Sequence, residues 1–588
     1  MEQLKKYITF LSWFPLRSDY LRADIVAGIT VALVLIPQSM AYAQLAGLPP
    51  YFGLYAAFLP VMIAAMFGSS KQLATGPVAV VSLLTASALI PLVAGYDTMT
   101  PAEIAGTYAP LAIMMAFLVG GVQLFLGVFK LGVIVNFLSH PVIVGFTNAA
   151  AMIIGLSQLN KIFGVSKTRS ESFVNDIMGV LQQIPEHTHM PTLAFGIAAI
   201  LILWGFKKYL PKIPGVLVAV ASLTTISYLI GFEQMGGSVV GTIPEGLPAL
   251  ALPNFNLELM GQLLPTAIVI SLVGFMEAIS IAKAMAAKTK DKIDPNQELI
   301  GQGIGNIVGS LGQSYPTSGS FSRSAVNIGA GAKTGMSSVI TGLVVLITLL
   351  FLTPMLYHLP SAVLAAVIMM AVIGLINFGA VKHAWKACKH DGIASMVTFV
   401  ATLGFAPHLE EGIMVGAGLA IGLYLYRSMK PRVAHLGRYD DGTLRDLAIH
   451  PDLPTDERII VVRFDGSLYF ANTSYFEETI LGACADKPEA KYVLIVADGI
   501  NQLDASGEDV LHHIYSRLKS NGVTLLMSGL KRQVLDVMRQ TFLFEHISQD
   551  NIFATEDMAI ADIYRRIGSD GEFCPLSPDQ PKAQPQPA

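Results

Sequence analysis

Two ionisable residues stand out in a long apolar stretch that is otherwise nearly free of charge. Arg323 follows Pro316-Thr317-Ser318-Gly319-Ser320-Phe321-Ser322, and between Arg22 and Arg427 the only other arginine is Arg169. A lone cation among apolar segments faces the interior and is functional by default. The competing reading has Arg323 snorkelling to an interface or held in a structural ion pair. Glu277 is the only carboxylate between positions 259 and 290. It can exchange a proton there, or serve as a fixed partner for a lysine or for Arg323. A second unusual run, Ala74-Thr75-Gly76-Pro77-Val78-Ala79-Val80, resembles the one before Arg323: both read as extended backbone leading into a helix start. Free N–H groups and partial positive charge at two such starts suit an anion. Gln38, Thr75, Ser320 and Ser322 are neutral donors to it, or else each caps a helix or bonds a neighbouring one.

The elements that position these residues follow from composition. The chain has 588 residues, 53% hydrophobic and only 14% charged, with a mean hydropathy of +0.56. Soluble domains carry about 25% charged residues. The average conceals a division: residues 1–430 hold 23 Lys+Arg and 18 Asp+Glu, whereas 431–588 hold 15 and 24. The first part reads as a membrane domain, 431–565 as an acidic soluble domain, and the Pro/Gln/Ala-rich 566–588 as a disordered tail. Runs of about 20 apolar residues can span a bilayer. Fourteen candidates fall near 24–46, 51–67, 76–94, 108–128, 131–159, 191–206, 213–231, 263–282, 298–313, 321–332, 337–357, 361–376, 392–406 and 412–427. The loops after even-numbered segments carry Lys71, Lys130, Lys207, Lys208, Lys212, Lys283, Lys333, Lys382 and Arg427. That pattern places the N-terminus and the C-terminal domain in the cytoplasm. Lys167 and Arg169 are a weak exception, balanced by Glu171 and Asp176. Asp24, His140, His358 and His408 read as interfacial.

The interrupted third and tenth segments lie about 240 positions apart, as do Gln38 and Glu277. Corresponding interrupted segments in two halves indicate an inverted repeat with a site at the bilayer midplane. In the C-terminal part, 458–464, 491–497 and 522–527 read as strands, alternating with helices at 473–485, 506–520 and 530–541. This predicts an α/β domain. It shows no phosphate-binding glycine loop and no catalytic triad, so an enzyme is not predicted. The net charge of −4 argues against nucleic acid. Cys388, Cys484 and Cys574 lack metal-ligand spacing, and neither metal nor cofactor is expected.

Ile36 to Ala43, Pro50-Tyr51-Phe52-Gly53-Leu54-Tyr55, Thr75-Gly76-Pro77-Val78-Ala79 and Ser318 to Asn327 occur in order along the chain. With these motifs the chain, over about residues 10–560, resembles the sulfate permease family of anion transporters. The tail looks like that family's STAS domain. The resemblance implies two inverted seven-segment repeats, divided into a gate and a moving core, and an elevator-like slide between them. It also implies a homodimer in the cell membrane. Carried onto this sequence, Gln38, Tyr42, Val78, Ala79, Ser320, Phe321, Ser322 and Arg323 would line the anion site. Moving one charge across 100 mV changes its energy by about 2.3 kcal/mol, so accumulating a dianion requires a co-transported cation. Sodium–bicarbonate symporters of the family carry an aspartate-centred site in segment eight. Phe275-Met276-Glu277-Ala278-Ile279-Ser280 is closer to the proton-coupled pattern. Sulfate uptake with protons, Glu277 carrying the proton, is the resulting expectation. Sodium-coupled bicarbonate symport and anion exchange or dicarboxylate transport are the alternatives. In the tail, Asp504-Ala505-Ser506-Gly507 matches the position where anti-sigma-factor antagonists carry a phosphorylated serine. Ser506 is thus a candidate regulatory phosphosite, with helix capping as the alternative, and the domain a candidate docking point for a cytoplasmic partner.

Overall fold

The computed structural model describes residues 8–15, 17–133, 139–166, 172–210, 213–244, 246–253, 255–568 and 574–577. Lys167, Arg169, Glu171, Lys212 and most of the predicted disordered tail lie outside them. The chain divides into two compact units, Met1–Ala420 and Ile421–Ala588.

Over residues 1–430 each of the fourteen predicted segments overlaps a helix. These are α1 (Ser18–Leu45), α2 (Leu59–Phe67), α3 (Ala79–Leu89), α4 (Ala109–Val128), α5 (His140–Ser157), α6 (Met190–Tyr209) and α7 (Gly215–Ile230). The second half supplies α8 (Leu257–Thr289), α9 (Pro295–Leu311), α10 (Phe321–Gly329), α11 (Met336–Ile347), α12 (Ser361–Ile373), α13 (Lys389–Phe405) and α14 (Leu409–Met429). Among the described residues, eight helices are long and apolar enough to cross a membrane by length and composition. Helices α3 and α10 are short because each is preceded by an extended segment: β1 (Thr75–Gly76) and β2 (Ser318–Gly319). Helices at Pro101–Thr107, Phe173–His187 and Phe378–Ala387 were not predicted.

The helices sort into two packed groups. Helix α9 packs on α4 and α2, α11 on α1 and α2, α8 on α4 and α3, and α10 on α1. The other group is α5 on α13, α6 on α12 and α7, and α12 on α5; Gly412 and Gly416 seat α14 against Thr402 and Thr398. The groups meet along α1–α12, α1–α7 and α3–α5. Tight contacts depend on glycine. A Cβ on Gly53 would lie 2.0 Å from the Ser39 carbonyl oxygen, and one on Gly145 would lie 2.1 Å from that of Ser395.

The second unit holds a six-stranded sheet in the order β4-β3-β5-β6-β7-β8. Its strands are β3 (Arg432–Arg438), β4 (Leu444–Asp446), β5 (Ile459–Asp465), β6 (Tyr492–Val496), β7 (Thr524–Ser528) and β8 (Ile552–Phe553). Strands β5 to β8 run parallel. The pattern located β5, β6 and β7; it missed β3, β4 and β8, two of them only two or three residues long. Helices α15 (Thr473–Asp486), α16 (Ala505–Ser520) and α17 (Arg532–Gln540) cover one face, and α18 (Glu556–Ile567) the other. One correction concerns the tail. Leu576 is buried against α18, its N–H donating to Tyr564 Oη and its carbonyl accepting from Arg438 Nε. An apolar side chain with a pocket to fill overrides the Pro-rich composition around it.

Candidate functional site

The site forms where the two interrupted segments cross. Strands β1 and β2 pair antiparallel, Thr75 opposite Gly319 and Gly76 opposite Ser318. Each strand runs directly into its helix, so the antiparallel pairing sends α3 and α10 away in opposite directions and leaves their N-termini close together. Val78 and Ser320 are the N-cap residues, both extended, and neither makes a side-chain cap hydrogen bond. The first-turn N–H groups of both helices are therefore without capping partners. Gly76 has φ +141°, open to glycine alone, and a Cβ there would sit 3.2 Å from Arg323 Nη2.

A cavity of about 450 Å³ opens at these starts, on the seam between the two helix groups. One wall is Gln38 and Tyr42 of α1, Val78 to Val80, Glu277 of α8, and Ser320, Phe321 and Ser322. The other is built from α6, α7 and α12, including Phe206, Lys207 and Met370. Eight of the predicted site residues thus share one cavity. The Ser320 and Ser322 hydroxyls lie 3.4 Å apart, and Gln38 Oε1 and Glu277 Oε2 are buried without a hydrogen-bond partner.

Two predicted residues stand behind the wall instead. Thr75 is buried in β1 with its Oγ1 accepting from Gln302 Nε2 at 2.8 Å. Arg323 is fully buried, and among the described residues its Nε, Nη1 and Nη2 all lack hydrogen-bond partners. It does not snorkel, and among the described residues no carboxylate lies within 4.0 Å of it. A buried cation left unpaired, beside two helix N-termini and with Lys207 across the cavity, makes this a site for negative charge.

Sequence reasoning missed three groups. Lys207 was counted only as a loop lysine. Asp24, expected at an interface, is fully buried: Oδ1 accepts from the Lys333 and Thr334 N–H groups, and Oδ2 from the Thr334 hydroxyl at 2.6 Å. Glu298 is buried against Ser69 and Ser70. For the two carboxylates a signal was available, since a carboxylate inside or at the start of an apolar segment is unusual, as Glu277 is. Among the described residues no cluster of three His, Cys, Asp or Glu is placed to hold a metal. In the second unit Ser506 is exposed in the first turn of α16, while Asp504 is the N-cap, its Oδ1 accepting from Gly507 N–H at 2.8 Å.

Residues 21–398 match the sulfate permease family, and residues 450–559 match the STAS domain. A probable sulfate transporter 4.2 of Arabidopsis thaliana is 36% identical, over 93% of this chain and 84% of its own. A high affinity sulfate transporter 1 of Stylosanthes hamata is 33% identical, over 92% of this chain and 83% of its own. The fold matches the murine solute carrier 26 family member A9 anion transporter in its inward-facing state. Its TM-score is 0.88 at 24% identity, over 96% of this chain and 95% of that one. It also matches the transmembrane domain of a cyanobacterium bicarbonate transporter, BicA, with a TM-score of 0.57 at 23% identity, over 69% of this chain and 99% of that one. The chain, a multi-pass membrane protein with a C-terminal STAS domain and not an enzyme, belongs to the sulfate permease family.

Proposed function

We propose that the protein is a secondary active carrier of inorganic anions, sulfate first among them, driven by protons. The observation that carries this reading is Arg323, wholly buried with three unpartnered nitrogens beside two opposed helix starts. The two sequence relatives named above both carry the name sulfate transporter, which supports sulfate as the anion. Gln38, Tyr42, Val78, Ala79, Ser320, Phe321 and Ser322 form the anion's wall, with Arg323 and Thr75 acting from behind it. Glu277 is the proton carrier, its Oε2 buried and unpartnered on the cavity. The seam location supports an elevator-like slide of the α1–α4 and α8–α11 group against the other. The lysine pattern supports a cytoplasmic N-terminus and STAS domain in a cell membrane. The working form is a homodimer of chains divided at about 430 and 565, with Ser506 and a cytoplasmic STAS partner as points of control.

The test is uptake of labelled sulfate and bicarbonate into proteoliposomes, with proton and sodium gradients imposed separately. Sulfate uptake that follows the proton gradient, and loses that dependence in Glu277→Gln, is the expected result. Sodium-driven bicarbonate uptake without sulfate transport would replace the assignment with a sodium–bicarbonate symporter.

A further inference from the structure

Helix α9 contributes nothing to the cavity wall, yet one of its faces grips both segments of the crossing. Glu298, Gln302 and Asn306 are spaced by four residues and so lie on one side of the helix, about 6 Å apart per step. All three are almost fully buried. Glu298 Oε2 accepts from the Ser69 and Ser70 N–H groups, each at 2.9 Å, and from the Ser69 hydroxyl at 3.1 Å. Those residues open the short loop that enters β1. Gln302 Nε2 donates to Thr75 Oγ1 in β1 at 2.8 Å. Asn306 Oδ1 accepts from Thr317 N–H at 2.8 Å and Thr317 Oγ1 at 3.0 Å, and its Nδ2 donates to the Thr317 carbonyl. Thr317 immediately precedes β2.

Helix α9 itself has little freedom. A Cβ on Gly301 would meet Gly68 Cα at 2.5 Å; one on Gly303 would meet Leu124 N at 2.6 Å. The helix is therefore wedged between α2 and α4 at backbone contact. Its polar stripe is a fixed ruler laid along the entry to β1, β1 itself and the entry to β2.

We infer that Glu298, Gln302 and Asn306 are positioning residues for the anion site: they set the separation and angle of the α3 and α10 starts without touching the anion. Two half-helix N-termini converge on an ion only if their extended approaches are held, and short two-residue strands cannot hold themselves. The inference rests on the anion-carrier reading above, and the test separates the two.

Sulfate binding is measured at equilibrium with labelled sulfate on purified full-length protein, for wild type, Gln302→Met and Asn306→Leu, alongside chloride competition. Both substitutions are near-isosteric; besides the polar grip, Asn306→Leu removes a bond from Asn306 Nδ2 to Gln123 Oε1 in α4 at 3.0 Å, and Gln302→Met one from Gln302 Nε2 to Glu298 Oε1 at 3.4 Å. The expected result is sulfate binding weakened roughly tenfold, on the scale of one lost charge-assisted hydrogen bond. The sulfate-to-chloride ratio should change as well, which loss of folded protein alone would not cause. Wild-type binding with both variants within twofold in affinity and ratio overturns the inference. Absence of anion binding by the wild type overturns the carrier reading instead. If Gln302→Met is not monodisperse, Thr75 probes the same contact from its other side. Thr75→Val, which removes the acceptor of the Gln302 bond, should bind roughly tenfold more weakly; normal binding by Thr75→Val overturns the inference.

Discussion

Replacing Arg323 with methionine separates a functional cation from a structural one. The side chain is fully buried and its three nitrogens have no hydrogen-bond partner. A desolvated charge in that state costs several kcal/mol, and an apolar replacement of similar length is neutral or stabilising. The anion-free variant should therefore melt no lower than the wild type. Sulfate reverses the comparison. Each charge-assisted hydrogen bond contributes about 1.5–3 kcal/mol, so losing one weakens binding roughly 10- to 100-fold. At a sulfate concentration 100 times its Kd, the wild type gains about 2.7 kcal/mol of stability by linkage. A variant with a Kd raised 100-fold gains only about 0.4 kcal/mol at that concentration. The assay is thermal unfolding of detergent-purified protein across a sulfate titration, with a non-transported salt holding ionic strength constant. Two results would refute the reasoning. One is a sulfate-dependent rise in the variant equal to that of the wild type. The other is an anion-free loss of about 3–5 kcal/mol, the signature of a broken buried pair.

Other consequences follow from particular contacts. Asp24→Ala leaves two N–H groups and a hydroxyl without their acceptor and should destabilise the first unit by on the order of 3 kcal/mol, whereas Asp24→Asn, which retains an amide oxygen, should cost about 1 kcal/mol; thermal midpoints of the two variants check the order. Gly53→Ala forces a methyl onto the Ser39 carbonyl and should cost about 1–3 kcal/mol, read as a lowered midpoint with the anion affinity of the surviving protein weakened. In the STAS domain, burial pushes the Asp456 carboxyl up, but the Arg458 fork and N–H and the Tyr564 hydroxyl outweigh it and hold the group below its ordinary value. A carboxylate depressed in the folded state stabilises above its unfolded pKa and loses that contribution as pH falls through the folded value. Protection of the β5 amides against hydrogen exchange, corrected for intrinsic rates, should thus hold from pH 7 to about 5 and decline below about 4. Asp456→Asn should flatten that decline.

The division into an apolar part and a charged part, the apolar segments that overlap the helices, the two interrupted ones, and the isolation of Arg323 and Glu277 are all legible along the chain. Each of these is a one-dimensional property. A bilayer selects apolar length and excludes charge, and an extended Gly/Pro/Ser run inside such a segment is tolerated only where protein or water surrounds it. The direction each side chain takes was decided elsewhere. A helical residue turns about 100° from its neighbour, so its surroundings depend on which elements pack around it. Thr75 turns to Gln302, 227 positions away, and Asp24 to Thr334, 310 positions away. Lys207 reaches the cavity because α6 packs on α12 and α7. The stripe Glu298–Gln302–Asn306 acquires meaning only once β1 and β2 lie against it. Solvation by the membrane is written along the chain; contact between residues hundreds of positions apart exists only after the halves have packed together.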